Sequence, residues 1–404
     1  MHILQLTPYY APAYAFGGVV RAVEGLAGAL AARGHRITIL TTDALDQGRR
    51  FAGPLEETHG DIRIVRCRNA SVWLRGRLNL STPRGLRGAA KTILPDVDLL
   101  HLHELRTAEN LLVAPVAAEL RVPIALSPHG TLNLNTGRSR LKRGWDGLLS
   151  RRLLPRINHI IALTETEQRE AERLWARLGA SRPPASSVIP NGVNLREFAS
   201  TPAAADFRAR FGLGTAPTVL YLGRFQARKG VDVLLRAFLA ADVVDSRLLI
   251  AGPDEGMLRT LRRLAAGDKR IVFAGYLDAS ERLSALGAAD VFALPAIGEG
   301  QSIAVLEALA AGLPVALSPG CNMNEVAVAE AGFVTQATVA AFADKLRVLL
   351  RDELLRQQMG AAARQLARER YSWARVAAEL ERVYMDLGLG STGGLQARLG
   401  AGRK

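Results

Sequence analysis

Along the first half of the chain, short apolar runs alternate with longer segments whose apolar positions recur every three to four residues. The runs His2–Thr7, His35–Thr41, Ile62–Arg66, Leu99–His103, Pro123–Ser127 and His159–Leu163 have the length and composition of buried strands. Between the first two, Gly18–Arg33 puts Val19, Val23, Leu26 and Leu30 on one helical face and stops at Gly34. Thr164-Glu-Thr-Glu167 has the form of a capping box and predicts a helix to Leu178. Ser187-Val-Ile-Pro190 closes this half, and residues 191–217 read as a linker with a short helix.

The pattern then restarts. Thr218–Leu222, Arg247–Ala251, Arg270–Phe273, Val291–Leu294 and Pro314–Leu317 are expected strands, separated by helices opening at Gly230, Asp254, Glu281, Ser302 and Thr338. Two such series joined by one linker predict an α/β protein of two doubly wound, Rossmann-like domains facing each other across a cleft. The 404 residues fit two cores better than one. The expected domains are residues 1–190 and 191–370, and residues 388–404, rich in Gly and basic at the end, read as a flexible tail.

Composition narrows the setting. Cys67 and Cys321 match no disulfide or metal spacing, which suits a reduced cytosolic compartment. The N-terminus lacks a basic leader region, and no apolar run is long enough to span a bilayer, so the protein is expected to be cytoplasmic or peripheral on the inner face of the cell membrane.

The net charge of +14 lies mostly in the first half. Arg63, Arg66, Arg68, Arg75, Arg77, Arg84, Arg87 and Lys91 follow one another with no acidic residue between, and Trp73, Leu74, Leu78 and Leu80 stand among them. A second stretch, Arg138 to Arg156, interleaves Trp145, Leu148, Leu149, Leu153 and Leu154. This mixture suits an anionic membrane surface or a lipid-phosphate acceptor, against the alternative of an Arg-rich solvated surface. No nucleic-acid recognition motif accompanies the charge, so nucleic acid is not an expected partner.

The candidate chemistry centres on Glu299 and Glu307. From Ser302 to Leu317 the chain is apolar apart from Ser302 and Glu307, so the helix opening at Ser302 should be buried on most sides. A buried carboxylate needs a partner, and no basic residue lies near it in sequence; the partner is therefore distant in sequence or is a ligand. Glu299 stands in the glycine-flanked loop after the strand Val291–Leu294, at the end of the sheet where open α/β folds bind ligands. The two carboxylates suit the hydroxyl groups of one elongated polar ligand such as a sugar. Arg224, Arg228 and Lys229 lie between a strand end and a helix start, where an intervening anion would explain cations near a helix N-terminus. Asp96-Val-Asp98 imitates a metal-binding D-x-D motif but precedes its strand, and reads as a turn.

Glu299 and Glu307, with Gly223-Arg224 and Lys229-Gly230 upstream and Gly17-Gly18 and His129-Gly130 further upstream, resemble the retaining GT-B glycosyltransferases of family 4 over nearly the whole chain. The resemblance implies transfer of a hexose from a UDP- or GDP-sugar to a glycan or lipid-linked acceptor, as in bacterial exopolysaccharide, O-antigen or glycolipid assembly. It implies that Arg224 and Lys229 clamp the diphosphate, that Glu299 and His129 hold the transferred sugar, and that Glu307 holds the ribose. Gly17, Gly18, Gly300, Gln301 and Ser302 would line the donor, His103 would lie on the acceptor side, and Arg228 would face solvent. No metal or other cofactor is implied, and a metal at His101 and His103 is the weaker reading because no carboxylate cluster joins them. The segment 371–387 resembles the family's last helix, which crosses back onto the N-terminal domain. Gln301-Ser302 stands where the family often has Phe-Gly or Phe-Pro, and Asn194 where it often has Asp; both bear on donor identity. The rival readings are another GT-B enzyme acting on sugar phosphates, a phosphorylase or epimerase, and a non-enzymatic polyanion-binding protein. A nicotinamide oxidoreductase is disfavoured because Pro8 to Gly17 lacks G-x-G-x-x-G.

Overall fold

The computed structural model describes residues 1–71, 73–74, 80–134, 139–179, 183–199 and 204–389. Arg75, Arg77, Arg138 and almost all of the expected tail lie outside the described residues. The chain divides into two compact units, Met1–Gly192 with the chain from Trp373 onward, and Val193–Ser372.

In the first unit, the strands are β1 (His2–Leu6), β2 (Arg36–Thr42), β3 (Glu56–His59), β4 (Ile62–Cys67), β5 (Leu99–His103), β6 (Ile124–Ser127), β7 (His159–Ala162) and β8 (Ala185–Val188). They form one sheet in the order β3-β4-β2-β1-β5-β6-β7-β8, parallel except for the β3–β4 pair. Its interior strands are buried on both faces because helices cover both, and they are largely apolar apart from polar positions such as Gln5, His101 and His103. Ile3, Ile37, Ile39 and Leu99 face one layer with Val23 and Leu26, while Leu4, Leu40 and Leu100 face the other with Val113 and Leu174. β3 was not legible: its residues Glu-Glu-Thr-His carry no apolar signal and only extend an edge.

The last helix, Trp373–Leu389, belongs to this first unit. Val376, Ala377, Leu380 and Tyr384 fill the layer that holds Val23 and Leu26. At its solvent side, Glu381 accepts from His35 Nε2 at 3.0 Å and pairs with Arg33.

The second unit repeats the plan with β9 (Thr218–Leu222), β10 (Arg247–Ala251), β11 (Ile271–Gly275), β12 (Val291–Leu294), β13 (Val315–Leu317) and β14 (Gly332–Val334), in the parallel order β11-β10-β9-β12-β13-β14. β14 and the helix Glu353–Arg370 were not expected; the strand is only three residues long and begins on a glycine. The helix expected at Glu281 opens earlier, at Ala279, where Asp278 and Glu281 form a reciprocal capping box. The N-terminal box at Thr164 is only half made. Thr164 Oγ1 accepts from Glu167 N at 3.2 Å, but the Glu167 carboxylate turns instead to Leu163 N and Gly130 N.

Candidate functional site

Strand order brings β9 and β12 side by side in the second unit, so the loops leaving their carboxyl ends are neighbours. The first loop carries Arg224, Arg228 and Lys229, and the second carries Glu299. Gly230 sits between them with φ 67°, and a Cβ there would run into the Pro295 carbonyl, so the close approach of the two loops needs glycine. Ile297 N donates to Arg228 O at 2.7 Å, which locks one loop to the other.

The charges then meet. Lys229 Nζ lies 2.6 Å from Glu299 Oε2, and Arg228 Nη1 lies 2.9 Å from Glu299 Oε1. Arg228 keeps about a third of its side chain exposed (32%) and is also held by a carboxylate, a partner that the expectation of a solvent-facing side chain did not include. Burial pulls the Lys229 ammonium below its ordinary value, and Glu299 acts against that pull. Asn322 Nδ2 donates to the Glu299 carbonyl at 2.5 Å and Gly320 O accepts from Glu299 N at 2.8 Å, fixing the loop from below. Arg224 makes a different ion pair, with Glu255 at 3.0 Å, and its carbonyl accepts from Tyr221 Oη at 2.8 Å; its charge still acts on Lys229.

Glu307 is buried in the helix Ile303–Ala311 and its partner is Arg282, also buried, from the helix Ala279–Ala288. Of the two alternatives open from the sequence, the distant residue is present. Arg282 also reaches Glu197 at 3.4 Å, so one guanidinium serves two carboxylates. Ser302 occupies the N-cap of the Glu307 helix without a side-chain capping bond, and Gly300 and Gln301 connect it to Glu299. Arg282 was missed because its signal, an arginine on the inward face of an amphipathic helix, is legible only once the helix position is known.

In the first unit, Gly17 has φ 100° and caps the helix Gly18–Ala31, an orientation that favours glycine. His129 follows β6 and has φ 53°, a left-handed conformation that costs a non-glycine residue about 1–3 kcal/mol. Its Nε2 is 2.9 Å from His103 Nδ1. His101, on the same face of β5, has Nε2 2.8 Å from Ser127 Oγ and Nδ1 2.8 Å from Tyr384 Oη. Burial drives His101 down to about 3 and His129 to about 4, and holds His103 well below its ordinary value, so all three are neutral at physiological pH. Neither His103 Nε2 nor His129 Nδ1 has a hydrogen-bond partner among the described residues. Of these two nitrogens one therefore carries an N–H and the other a lone pair.

The long basic run is less uniform than its sequence. Arg63 pairs with Glu56, and Arg66 is buried, pairing with Glu57 and donating to the Ala11 carbonyl at 2.8 Å. β3 supplies both carboxylates. Arg50, Arg68 and Arg84 line a pocket beyond the carboxyl ends of β2 and β4. Trp73, Leu141 and Leu148 are exposed. Among the described residues no helix is long and apolar enough to cross a membrane.

Residues 16–197 match the family model Glycosyltransferase Family 4, and residues 205–366 match Glycosyl transferases group 1. A phosphatidyl-myo-inositol mannosyltransferase of Mycobacterium leprae is 33% identical over 378 residues, covering 91% of this chain and 92% of that protein. A GDP-mannose-dependent monoacylated alpha-(1-6)-phosphatidylinositol monomannoside mannosyltransferase of Corynebacterium glutamicum is 33% identical over 248 residues, covering 57% of this chain and 64% of that protein. Among solved structures, sucrose-phosphate synthase of Thermosynechococcus elongatus superposes with a TM-score of 0.76 at 21% identity, covering 96% of this chain and 100% of that one. Anabaena HepE in complex with UDP and glucose gives a TM-score of 0.74 at 18% identity, over 96% and 100% of the two chains. These structural likenesses bear on the fold, which is GT-B.

Proposed function

Because this chain belongs to the family 4, group 1 glycosyltransferases, we propose that it is a retaining enzyme that moves a hexose from a nucleoside-diphosphate sugar to a lipid-linked acceptor. The donor proposed is GDP-mannose and the acceptor a phosphatidylinositol-type lipid, on the names of the full-length mannosyltransferase relative and of the GDP-mannose-dependent one.

The observation that carries the reading is the Lys229–Glu299–Arg228 group at the ends of β9 and β12. A departing diphosphate needs concentrated positive charge held in a dry, fixed site, and Lys229 supplies it with its ammonium already desolvated. Arg224, one loop residue away from the sheet, is the second cation assigned to the diphosphate. In the proposed cycle the diphosphate takes the place that the Glu299 carboxylate holds beside Lys229, and Glu299 is released to hold the sugar hydroxyls. Glu307, held by Arg282, takes the ribose, with Gly300, Gln301 and Ser302 against the donor. In the first unit, His129 is assigned a sugar hydroxyl, His103 the acceptor side, and the Gly17-Gly18 backbone a phosphate. With no carboxylate assigned as nucleophile, the leaving phosphate takes the acceptor proton on the same face, which retains the anomeric configuration. No metal is required where cations and helix N-termini supply the charge.

In the pocket lined by Arg50, Arg68 and Arg84, Asp43 pairs with Arg50 and leaves Arg68 and Arg84 as the cations without an ion pair among the described residues. This pocket and the exposed Trp73, Leu141 and Leu148 support an anionic lipid acceptor and a peripheral contact with the inner membrane face. The deciding experiment offers GDP-mannose and a panel of UDP- and ADP-hexoses with phosphatidylinositol vesicles, and reads product anomer by NMR. Formation of an α-mannoside only from GDP-mannose supports the reading; an inverted product, or nucleotide release independent of acceptor, rejects it.

A further inference from the structure

The loop that carries His129 is held in an unfavourable backbone conformation, and the groups that hold it come from far along the chain. His129 and Gly130 both have positive φ, 53° and 74°. Behind them, Thr131 Oγ1 donates to Pro128 O at 2.6 Å, and Gly130 N donates to the buried carboxylate of Glu167. In front of them is Ser127, whose hydroxyl oxygen lies 2.8 Å from His101 Nε2. His101 is in turn bound by Tyr384, 283 residues away in sequence, on the last helix. His101 and Tyr384 are both completely buried.

Directionality follows from the inventory of donors. Burial pushes the Tyr384 hydroxyl far above its ordinary value, so it keeps its proton, and its only hydrogen-bond partner among the described residues is His101 Nδ1. An acceptor role would strand that proton in the core, so Tyr384 donates. His101 Nδ1 then accepts, its single proton sits on Nε2, and Nε2–H donates to Ser127 Oγ. The chain of bonds has one polarity. The His101 ring also packs on His103, with centroids 4.2 Å apart, and His103 is the ring that contacts His129.

We propose that Tyr384 is a positioning residue for the sugar-binding site: through His101 and Ser127 its hydroxyl fixes the base of the loop that presents His129. The inference rests on the proposed role of His129 toward the transferred sugar. It makes the last helix part of the functional apparatus of the first unit as well as of its core. The two nitrogens without a hydrogen-bond partner among the described residues, His103 Nε2 and His129 Nδ1, are atoms this apparatus places.

The test uses the full chain carrying Tyr384→Phe, which keeps the ring and its packing, and separately Ser127→Ala. Nitrogen-15 imidazole spectra report the tautomer of His101 and the environment of His129 without any substrate. The expected result is loss of the fixed His101 tautomer and a displaced His129 signal in Tyr384→Phe. Transfer with GDP-mannose falls about tenfold in kcat/KM, the scale of one orienting hydrogen bond, while affinity for bare GDP is kept. Ser127→Ala gives the same displacement, and the double variant adds little to either, because both break one path. A His129 signal and a transfer rate unchanged in Tyr384→Phe overturn the proposal; so does lost transfer with an unmoved His129 signal, which marks a purely structural role. If the parent transfers no sugar from any nucleotide donor, the functional reading fails instead, and the spectra still decide whether Tyr384 controls the loop.

Discussion

Lys229 and Glu299 form a part-buried ion pair of 2.6 Å that joins the two loops proposed to hold the donor. The carboxylate occupies the place proposed for the diphosphate and offsets one of the two positive charges, Lys229 and Arg228, that face it. Lys229→Ala and Arg224→Ala should each lower turnover at least about a hundredfold, since loss of one donor aimed at developing charge costs about 3–4 kcal/mol. Steady-state transfer assays check this, with circular dichroism to show an intact fold. Near-parent turnover in both variants rejects the diphosphate assignment.

Glu299→Gln should separate binding from transfer. Removing the competing charge leaves affinity for bare GDP unchanged or tighter, while sugar transfer drops. Calorimetry with GDP beside transfer assays measures both; a clear loss of GDP affinity contradicts the competition.

The Arg282–Glu307 pair is buried on both sides, so breaking it from the arginine side removes the positive charge that Arg282 supplies to both Glu307 and Glu197. Arg282→Leu should destabilise the second unit by about 3–5 kcal/mol in chemical denaturation. Glu307→Gln should be milder in stability and weaken GDP binding. Equal effects on stability from the two substitutions would contradict this asymmetry.

Acid should weaken the first unit. His101 and His129 are lowered by burial to about 3 and about 4, and His103 is held well below its ordinary value by the same cause. The unfolded chain therefore binds more protons than the folded one below the ordinary histidine value of about 6.5, and stability contributed by the neutral rings is lost as pH falls from there toward 4. Glu104 and Glu167, raised to about 7 by burial, act with the opposite sign: their contribution is complete below about 4.5 and is lost as pH rises through 7. Imidazole proton spectra should show these three rings unprotonated down to about pH 5; a midpoint near 6.5 at any of them contradicts its burial.

Membrane association is testable by sedimentation. Each engaged Lys or Arg contributes about 1 kcal/mol at an anionic surface, so anionic vesicles should pellet the protein at low salt and release it at high salt. Equal, negligible pelleting with anionic and neutral lipid would favour a solvated arginine surface.

The alternation of strand and helix, the two-fold repeat of that pattern, and the candidate residues at strand ends were readable because apolar periodicity and glycine placement are local properties. What joins them was not. Arg282 lies 25 positions before Glu307, in another helix. Glu167 reads locally as the closing member of a capping box, and only the tertiary fold turns it toward Gly130. Arg228 and Lys229 are adjacent cations in sequence, and their shared carboxylate becomes visible only when β9 and β12 are placed side by side. Tyr384 shares a helical face with Val376 and Leu380, which marks it as inward but says nothing of His101.

The last helix also sets an order of assembly. A ribosome delivers residues 193–372 before it delivers Val376, Leu380 and Tyr384, so the second unit has all of its strands while the first still lacks part of its core. During synthesis the layer around Val23, Leu26 and Ile37 is open until the final helix emerges, and the half of the protein made first is the half completed last.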